Sequence, residues 1–179
     1  GNCVIEQSGH GTVTIGSVEK YITDTAWENG WVKPAKPAVE RAESVGIIGA
    51  GKLGTTIGRA AADAGWRVLY HDAAASEIMA MTIETLVPDA KLVSLRELAA
   101  ASDIVMLAIP FSLSENLDYA ALDGKIVLDA MNHWAPVDGP VAALEGWDAG
   151  TSALVATRNP KMRLVKSLNH LGYHDYTSD

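Results

Sequence analysis

The chain has 179 residues, a formal net charge of −8 at pH 7 and 48% hydrophobic residues. This length and apolar content are enough for one globular domain with its own core. Lys and Arg do not cluster in runs, which argues against a nucleic-acid partner or an anionic lipid surface. The longest apolar run, Ile104 to Phe111, is much shorter than the roughly 18 residues needed to span a bilayer, so no membrane association is expected.

The cysteine and histidine content bears on redox and metal chemistry. Cys3 is the only cysteine, which excludes an internal disulfide and leaves too few ligands for an iron–sulfur cluster. His170 and His174 are four residues apart, but Gly172 lies between them, so a loop is favoured over a metal site. We therefore expect no metal, no iron–sulfur cluster and a cytoplasmic protein. The first residue is Gly1 rather than Met, which predicts processing, a tag or a fragment.

Prolines divide the chain into two parts. The segment Lys33-Pro34-Ala35-Lys36-Pro37 interrupts any helix, because proline lacks an amide donor and restricts the residue before it. This predicts an N-terminal arm over residues 1–33, a linker over 34–43 and one domain over 44–179. Within the arm, Ser17 is placed to cap a helix that runs to residue 29 and ends at Gly30.

Beyond the linker, apolar runs typical of strands alternate with helical patterns. Ser94-Leu95-Arg96-Glu97 reads as a capping box, and Pro110 ends the longest apolar run. The predicted strands cover residues 45–48, 67–70, 91–93, 104–109, 125–130 and 163–168, and the predicted helices cover 53–64, 76–86, 94–102 and 151–157, with a weaker one from Ser112. This pattern predicts an α/β fold, a doubly wound parallel Rossmann sheet of order 3-2-1-4-5-6, with a short, mainly helical N-terminal arm. The ligand crevice would lie between the ends of the first and fourth strands.

The loop Gly49-Ala50-Gly51-Lys52-Leu53-Gly54 follows the first strand and opens a helix, as a dinucleotide-binding loop requires. Gly49 allows the tight turn, Gly51 lets the backbone approach a pyrophosphate, and Gly54 lets the helix pack close to the sheet. The free amides and the dipole of the helix N-terminus then favour an anion. We expect this loop to bind the cofactor.

Asp72 follows the second predicted strand, where a carboxylate accepts hydrogen bonds from an adenosine ribose and repels a 2′-phosphate. This position favours NAD over NADP. The alternative is that Asp72 only begins a turn or caps the next helix.

Four motifs agree in order and spacing with one family of enzymes. They are Val45-Gly46-Ile47-Ile48-Gly49-Ala50-Gly51-Lys52-Leu53-Gly54, Leu107-Ala108-Ile109-Pro110-Phe111, Asp129-Ala130-Met131-Asn132 and Val165-Lys166-Ser167-Leu168-Asn169. Over residues 44 to 173, the chain resembles the deazaflavin-dependent NADP oxidoreductase family. The resemblance implies reversible hydride transfer between a nicotinamide cofactor and a deazaflavin coenzyme, which is the second substrate.

The same resemblance implies roles for individual residues. The glycine loop would hold the pyrophosphate. The residues expected beside the nicotinamide are Ile109, Pro110 and Phe111. Those expected to edge the reaction crevice on the substrate side are Asn132, Lys166, Asn169 and His170. No catalytic residue is assigned, because direct hydride transfer needs alignment more than acid–base groups.

The chain departs from that family in two places. The family follows its second strand with small polar and basic residues suited to a 2′-phosphate, whereas this chain has Asp72-Ala73-Ala74. The cofactor is therefore left as NADP or NAD. The family also continues for some tens of residues beyond the sixth strand, whereas this chain ends at Asp179, which predicts an incomplete substrate side.

Two kinds of side chain have a simpler interpretation than a functional one. A lysine near a strand end, such as Lys166, is more often a solvated or phosphate-facing charge than a catalytic group. The tryptophans outside the predicted strands are interpreted as packing residues: Trp27, Trp31, Trp134 and Trp147.

The arm resembles a different protein. The segments Gly1-Asn2-Cys3-Val4-Ile5-Glu6, Val13-Thr14-Ile15 and Ala26-Trp27-Glu28-Asn29-Gly30-Trp31 resemble the small subunit of glutamate synthase, and this resemblance ends near the prolines. In that family the stretch links an iron–sulfur domain to a flavin domain. Cys3 would correspond to a last cluster ligand, but its companions are missing.

The sequence therefore predicts an NAD(P)-dependent oxidoreductase domain that transfers hydride to a deazaflavin-type acceptor. Two alternatives stay open: a nucleotide-binding module without turnover, and an adaptor fragment related to glutamate synthase that docks a larger flavoprotein. Small-molecule cofactors are the expected partners, and the sequence leaves open whether the chain forms a homo-oligomer.

Overall fold

The computed structural model describes residues 15–31, 43–169 and 176. The chain divides into two compact units, Gly1–Glu40 and Arg41–Asp179. Several predictions fall outside the described residues: Cys3 and the first segments of the arm, most of the linker, and the two histidines His170 and His174.

In the described part of the first unit, the helix α1 (Ile15–Glu28) lies close to the predicted position, but it begins before Ser17, so the prediction that Ser17 caps it is wrong. Gly30 adopts a φ of +67° just past its end and donates its amide to the Trp27 carbonyl at 2.9 Å. This left-handed residue ends the helix as predicted, because glycine adopts positive φ without a steric penalty. The large apolar side chains on the described part of this helix and just after it are exposed: Tyr21, Ile22, Trp27 and Trp31.

The second unit is built on a parallel sheet of six strands in the order β3-β2-β1-β4-β5-β6. Every neighbouring pair is parallel. The strands are β1 (Ser44–Ile48), β2 (Arg67–His71), β3 (Lys91–Leu92), β4 (Ile104–Leu107), β5 (Ile126–Asp129) and β6 (Arg163–Lys166). The order confirms the predicted doubly wound Rossmann fold, with its switch point between β1 and β4.

Helices and short turns connect the strands. The α-helices are α2 (Lys52–Asp63), α3 (Glu77–Leu86), α4 (Leu95–Ala101), α5 (Ala135–Asp138) and α6 (Thr151–Arg158), and the 3-10 turns are Phe111–Asn116, Tyr119–Leu122 and Ala142–Leu144. Ser94 and Glu97 form the predicted capping box at the start of α4. None of the helices in the described part of the chain has the length and apolar character to cross a membrane.

Three elements differ from their predicted form. The helix expected from Ser112 is the 3-10 turn Phe111–Asn116, and the fourth strand ends at Leu107 rather than at residue 109. The last strand ends at Lys166, because Leu168 has a φ of +63° and cannot continue an extended strand. Short turns such as Tyr119–Leu122 were not predicted, since they hold too few residues for a periodic signal.

The core covers both faces of the sheet. Ile48 and Leu69 pack in one buried cluster, whereas their chain neighbours Ile47 and Tyr70 pack in another. This alternation follows from the strand geometry, which points successive side chains to opposite faces. Both faces are therefore apolar, as in a parallel sheet covered by helices on each side.

Helix α2 lies unusually close to the sheet. A Cβ at Gly54 would overlap the Gly49 carbonyl oxygen, and one at Gly58 would overlap the Tyr70 hydroxyl. That hydroxyl donates to the Gly54 carbonyl at 3.0 Å, and burial raises the pKa of Tyr70. These contacts fix the N-terminus of α2 directly beyond the end of β1.

Candidate functional site

The glycine loop begins with a turn that only glycine accommodates. Gly49 has a φ of +106°, and a Cβ there would lie 2.5 Å from the Ala108 carbonyl oxygen. Its amide donates to the His71 carbonyl at 2.8 Å. The loop is thus held against β4 on one side and β2 on the other.

The next glycine faces open space. Gly51 is the N-cap residue of α2 and makes no side-chain capping bond. A Cβ built on Gly51 meets no heavy atom within 4 Å. The first amides of an α-helix lack intrahelical partners, so this end of α2 suits an anion such as a pyrophosphate.

A cavity of about 550 Å³ lies beside this loop, at the carboxyl ends of β1, β2 and β4. Among its lining residues are Gly49, Gly51 and Asp72, together with the apolar Leu95, Leu113 and Leu117. A helix N-terminus and polar groups suit a diphosphate, and apolar side chains in the same cavity suit an adenine ring.

Asp72 is half-buried at the rim of this cavity. Its Oδ2 accepts a hydrogen bond from the Ala50 amide at 3.2 Å, and its Oδ1 accepts one from the Ala74 amide at 2.9 Å. Asp72 therefore begins a turn and also reaches the glycine loop. It does not cap α3, since Ser76 does so by accepting the Met79 amide at 3.2 Å.

The residues expected beside the nicotinamide occupy two environments. Ile109 and Pro110 line the large cavity. Phe111 is 1% exposed and belongs to the core, with its ring edge-on to His133 at a centroid distance of 6.3 Å. The structure thus brings two of the three residues to the cavity and turns the third inward.

A second pocket of about 390 Å³ lies at the ends of β5 and β6. Its polar lining includes Asn132 and Asn169, which exchange two hydrogen bonds: Asn132 Nδ2 donates to the Asn169 carbonyl at 2.9 Å, and Asn169 Nδ2 donates to Asn132 Oδ1 at 3.2 Å. Leu53 of the glycine loop also lines it. The glycine loop therefore borders both pockets.

The loop after Asn132 carries two further lining residues, His133 and Trp134. Asp138 holds this loop, because its carboxylate accepts the Trp134 amide at 2.7 Å and the Ser112 amide at 2.8 Å. Burial acts to raise the pKa of Asp138, but these hydrogen bonds and His133 outweigh it and lower the pKa. Trp134 is 62% exposed, and Trp27 and Trp31 are exposed as well, so the interpretation of these three as packing residues is wrong. Trp147 does pack against the core.

Lys166 does not line either pocket. Its ammonium lies 3.5 Å from Asp129 Oδ2 and donates to the Met131 carbonyl. Its side chain is 30% exposed, and its ammonium is directed at Asp129 and Met131 rather than into a pocket. Sequence reasoning assigned no role to Asp129 or to Ser152, which also contacts it. The signals in the sequence were a carboxylate at the end of an apolar strand and the motif Asp129-Ala130-Met131-Asn132.

Across residues 15–31, 43–169 and 176, no group of three or more His, Cys, Asp or Glu side chains is arranged to hold a metal ion.

The fold, the glycine loop and the adjoining cavity define an NAD(P)-binding dehydrogenase domain. The model of the D-isomer specific 2-hydroxyacid dehydrogenase NAD-binding domain matches residues 13–117 of the chain. The chain belongs to this family of domains.

Among curated proteins, the chain is similar to one from Cereibacter sphaeroides assigned as the glutamate synthase (NADPH) small chain. The two are 72% identical over 72 residues, which make up 40% of this chain and 17% of that protein. The chain thus spans less than a fifth of the length of this relative. The match is also longer than the arm on which the resemblance was recognised.

Two solved structures share the fold. The hypothetical protein SMa0349 of Sinorhizobium meliloti is 23% identical, with a TM-score of 0.63, and the match covers 76% of this chain and 66% of that one. A protein of Arthrobacter sp. FB24 assigned as an F420-dependent NADP reductase is 20% identical, with a TM-score of 0.58, and the match covers 73% and 64%.

The open space at Gly51 gives a direct test of the cofactor site. We expect Gly51→Leu to change the free energy of unfolding by no more than about 1 kcal/mol, because a Cβ there meets no protein atom within 4 Å and the backbone is extended. We expect its affinity for NADH to fall by about a hundredfold or more, through loss of two or more charge-assisted hydrogen bonds to the pyrophosphate.

The measurement is a titration followed by NADH fluorescence, with thermal unfolding as the folding check. Ala100→Leu, an exposed position on α4, is the matched control and should leave NADH binding unchanged. If Gly51→Leu bound NADH as tightly as the unaltered chain, the assignment of the glycine loop as the cofactor site would be wrong.

Proposed function

We propose that this chain is an oxidoreductase domain that transfers hydride between a nicotinamide cofactor at the glycine loop and a deazaflavin-type acceptor in the second pocket. The observation that carries the proposal is that one loop borders both pockets, with Gly51 on the first and Leu53 on the second. Hydride transfer requires two ligands side by side, and this loop is where the two would meet.

The composition of the second pocket bears on the acceptor. Its described lining contains two amides, His133 and Trp134, together with apolar residues, and it has no Lys or Arg. A 2-oxo acid would leave its carboxylate without a cationic partner there, which is costly in a partly desolvated site. A neutral ring with adjacent N–H and C=O groups would pair with Asn132 and Asn169. This complementarity and the four shared motifs support a deazaflavin over a 2-oxo acid.

The residues of the chain would act by binding and alignment. The nicotinamide, when bound, would supply the hydride while the deazaflavin takes up a proton from solvent, and in the reverse direction the reduced deazaflavin would return the hydride and release that proton. Ile109 and Pro110 present an apolar surface to the cofactor, and the paired amides of Asn132 and Asn169 present hydrogen-bonding groups to the acceptor. No acid–base residue is required for such a step.

The proposal is tested by following NADH oxidation with two kinds of acceptor. We expect absorbance of NADH to fall when 5-deazariboflavin is added and to stay constant with pyruvate, because only the neutral ring matches the second pocket. Gly51→Leu should abolish the reaction.

Oxidation with pyruvate alone would overturn the proposed acceptor. Tight NADH binding without turnover on either acceptor would favour a nucleotide-binding module.

We further propose that the domain prefers NAD over NADP. Asp72 lies at the cavity rim with both carboxylate oxygens fixed by backbone amides. A 2′-phosphate placed there would face this carboxylate at short range, and like charges at about 4 Å repel by several kcal/mol at an intermediate dielectric. The 2′-hydroxyl of NAD would instead donate to it.

This preference predicts the effect of one substitution. Asp72→Ser should raise the affinity for NADPH relative to NADH by about tenfold, since the repelling charge is removed. Asp118→Ser is the control, because Asp118 lines the same cavity but is paired with Arg96 at 3.3 Å. Fluorescence titrations with both cofactors give the ratio. An unchanged ratio in Asp72→Ser would show that this carboxylate does not select the cofactor.

The arm supports a second candidate, an adaptor that docks a larger flavoprotein. The similarity to a glutamate synthase small chain and the exposed Tyr21, Trp27 and Trp31 support this candidate. Large exposed aromatic side chains are typical of docking surfaces.

We expect a tagged chain to co-purify with a glutamate synthase flavoprotein. The double substitution Trp27→Ala and Trp31→Ala should abolish the complex. If the double variant recovered as much of the flavoprotein as the unaltered chain, docking through these two side chains would be excluded.

A further inference from the structure

A buried carboxylate stands at the end of β5, beside the second pocket but outside it. Asp129 is 0% exposed. Its Oδ2 accepts the Ser152 hydroxyl at 2.6 Å, and its Oδ1 accepts the Met131 amide at 3.0 Å. Both oxygens are therefore directed by neighbouring groups, one on α6 and one on the chain segment that leads to Asn132.

Lys166 completes this cluster from the next strand. Asp129 and Lys166 are register partners in the parallel pair of β5 and β6, and the ammonium lies 3.5 Å from Asp129 Oδ2. The same ammonium donates to the Met131 carbonyl. A buried carboxylate without a cation is strongly unfavourable, so the position of Lys166 is tied to that of Asp129.

The residues after Lys166 lead into the pocket wall through a strained turn. Leu168 has a φ of +63°, a left-handed conformation that is strained for a non-glycine residue. Its carbonyl accepts the Tyr176 hydroxyl at 3.2 Å. Lys166 anchors the chain before this turn, and the Asn169–Asn132 hydrogen bonds anchor it afterwards. Strain of this kind persists only where surrounding contacts hold it.

We propose that Asp129 and Lys166 are positioning residues for the acceptor pocket, which hold Asn132 and Asn169 at the separation where their amides pair. This inference rests on the proposed function for its effect on the acceptor. Lys166 acts through Met131 and the Leu168 turn, and it does not contact the acceptor. Because Asp129 compensates its charge, the ion pair leaves the pocket wall neutral.

The first experiment needs no ligand. We follow the side-chain amide signals of Asn132 and Asn169 by NMR in the full chain, assigned by Asn132→Ala and Asn169→Ala. Lys166→Met should move both sets of signals and leave the backbone signals of Gly49 and Gly51 in place.

Lys161→Met is the matched control. Lys161 pairs with Asp123 at 2.7 Å, and Asp123 accepts Asn159 Nδ2 at 2.8 Å. This variant should therefore move the Asn159 signals and leave those of Asn132 and Asn169 unchanged. If the side-chain amide chemical shifts of Asn132 and Asn169 did not change in Lys166→Met, the proposal would be overturned.

The second experiment measures binding of 5-deazariboflavin through quenching of Trp134, with Trp134→Phe as the background. Lys166→Met should weaken this binding by about tenfold while the affinity for NADH stays the same, because the change is confined to the second pocket. Lys166→Arg, which keeps the cation, should restore most of the loss. Asp129→Asn should weaken binding as well, and the double variant should be no weaker than the worse single one.

The outcomes separate this inference from the proposed function. If Lys166 contacted the acceptor directly, Asp129→Asn would strengthen binding by releasing the ammonium, and that result would overturn the proposal. If the unaltered chain did not bind 5-deazariboflavin, the proposed acceptor would be wrong, and the NMR comparison alone would decide the positioning role. If Asp129→Asn failed to fold, Ser152→Ala would replace it, and it should move the same asparagine signals.

Discussion

The close approach of α2 to the sheet is the constraint on which the rest of the structure depends. Glycines at positions 54 and 58 leave room for the Gly49 carbonyl and the Tyr70 hydroxyl, and no other residue fits at either position without displacing them. The Tyr70 hydroxyl then bonds the Gly54 carbonyl. With the helix axis held so close, its first amides lie beyond the end of β1, and the glycine loop becomes a shared border between two pockets. A helix packed one methyl group further out would move this anion site away from the strand ends.

The parallel topology supplies the other half of the arrangement. Because every described strand runs in the same direction, all carboxyl ends meet at one edge of the sheet, and the reversal of strand order between β1 and β4 opens a crevice there. The ends of β1, β2 and β4 build the larger cavity, and the ends of β5 and β6 build the smaller one. Each pocket takes its chemistry from a few residues placed just after strands: Asp72 for the first, and Asn132 with Asn169 for the second.

The sequence predicted the sheet order and the glycine loop, and the features that it did not predict were missed for physical reasons. Apolar runs and the glycine loop predicted the sheet order, because they are local patterns. The ion pair of Asp129 with Lys166 was missed, since it depends on the register of β5 against β6 and joins residues far apart in the chain. Phe111 was expected beside Pro110 at the cofactor, but as the first residue of a 3-10 turn it points into the core. Ile109 lines the larger cavity and Asn132 and Asn169 line the smaller one, and their roles in binding are proposals.

The carboxylate of Asp72 is preorganised in the absence of a ligand. Its two oxygens are held by the amides of Ala50 and Ala74, one from the glycine loop and one from its own turn. The rotamer is therefore selected when the chain folds, and the conformational entropy of that side chain has already been lost. A nucleotide that bonds to it would not lose the side-chain freedom again, which preserves a larger part of the interaction for affinity. The same rigidity would make the rim slow to adapt to a bulkier or more negatively charged ribose.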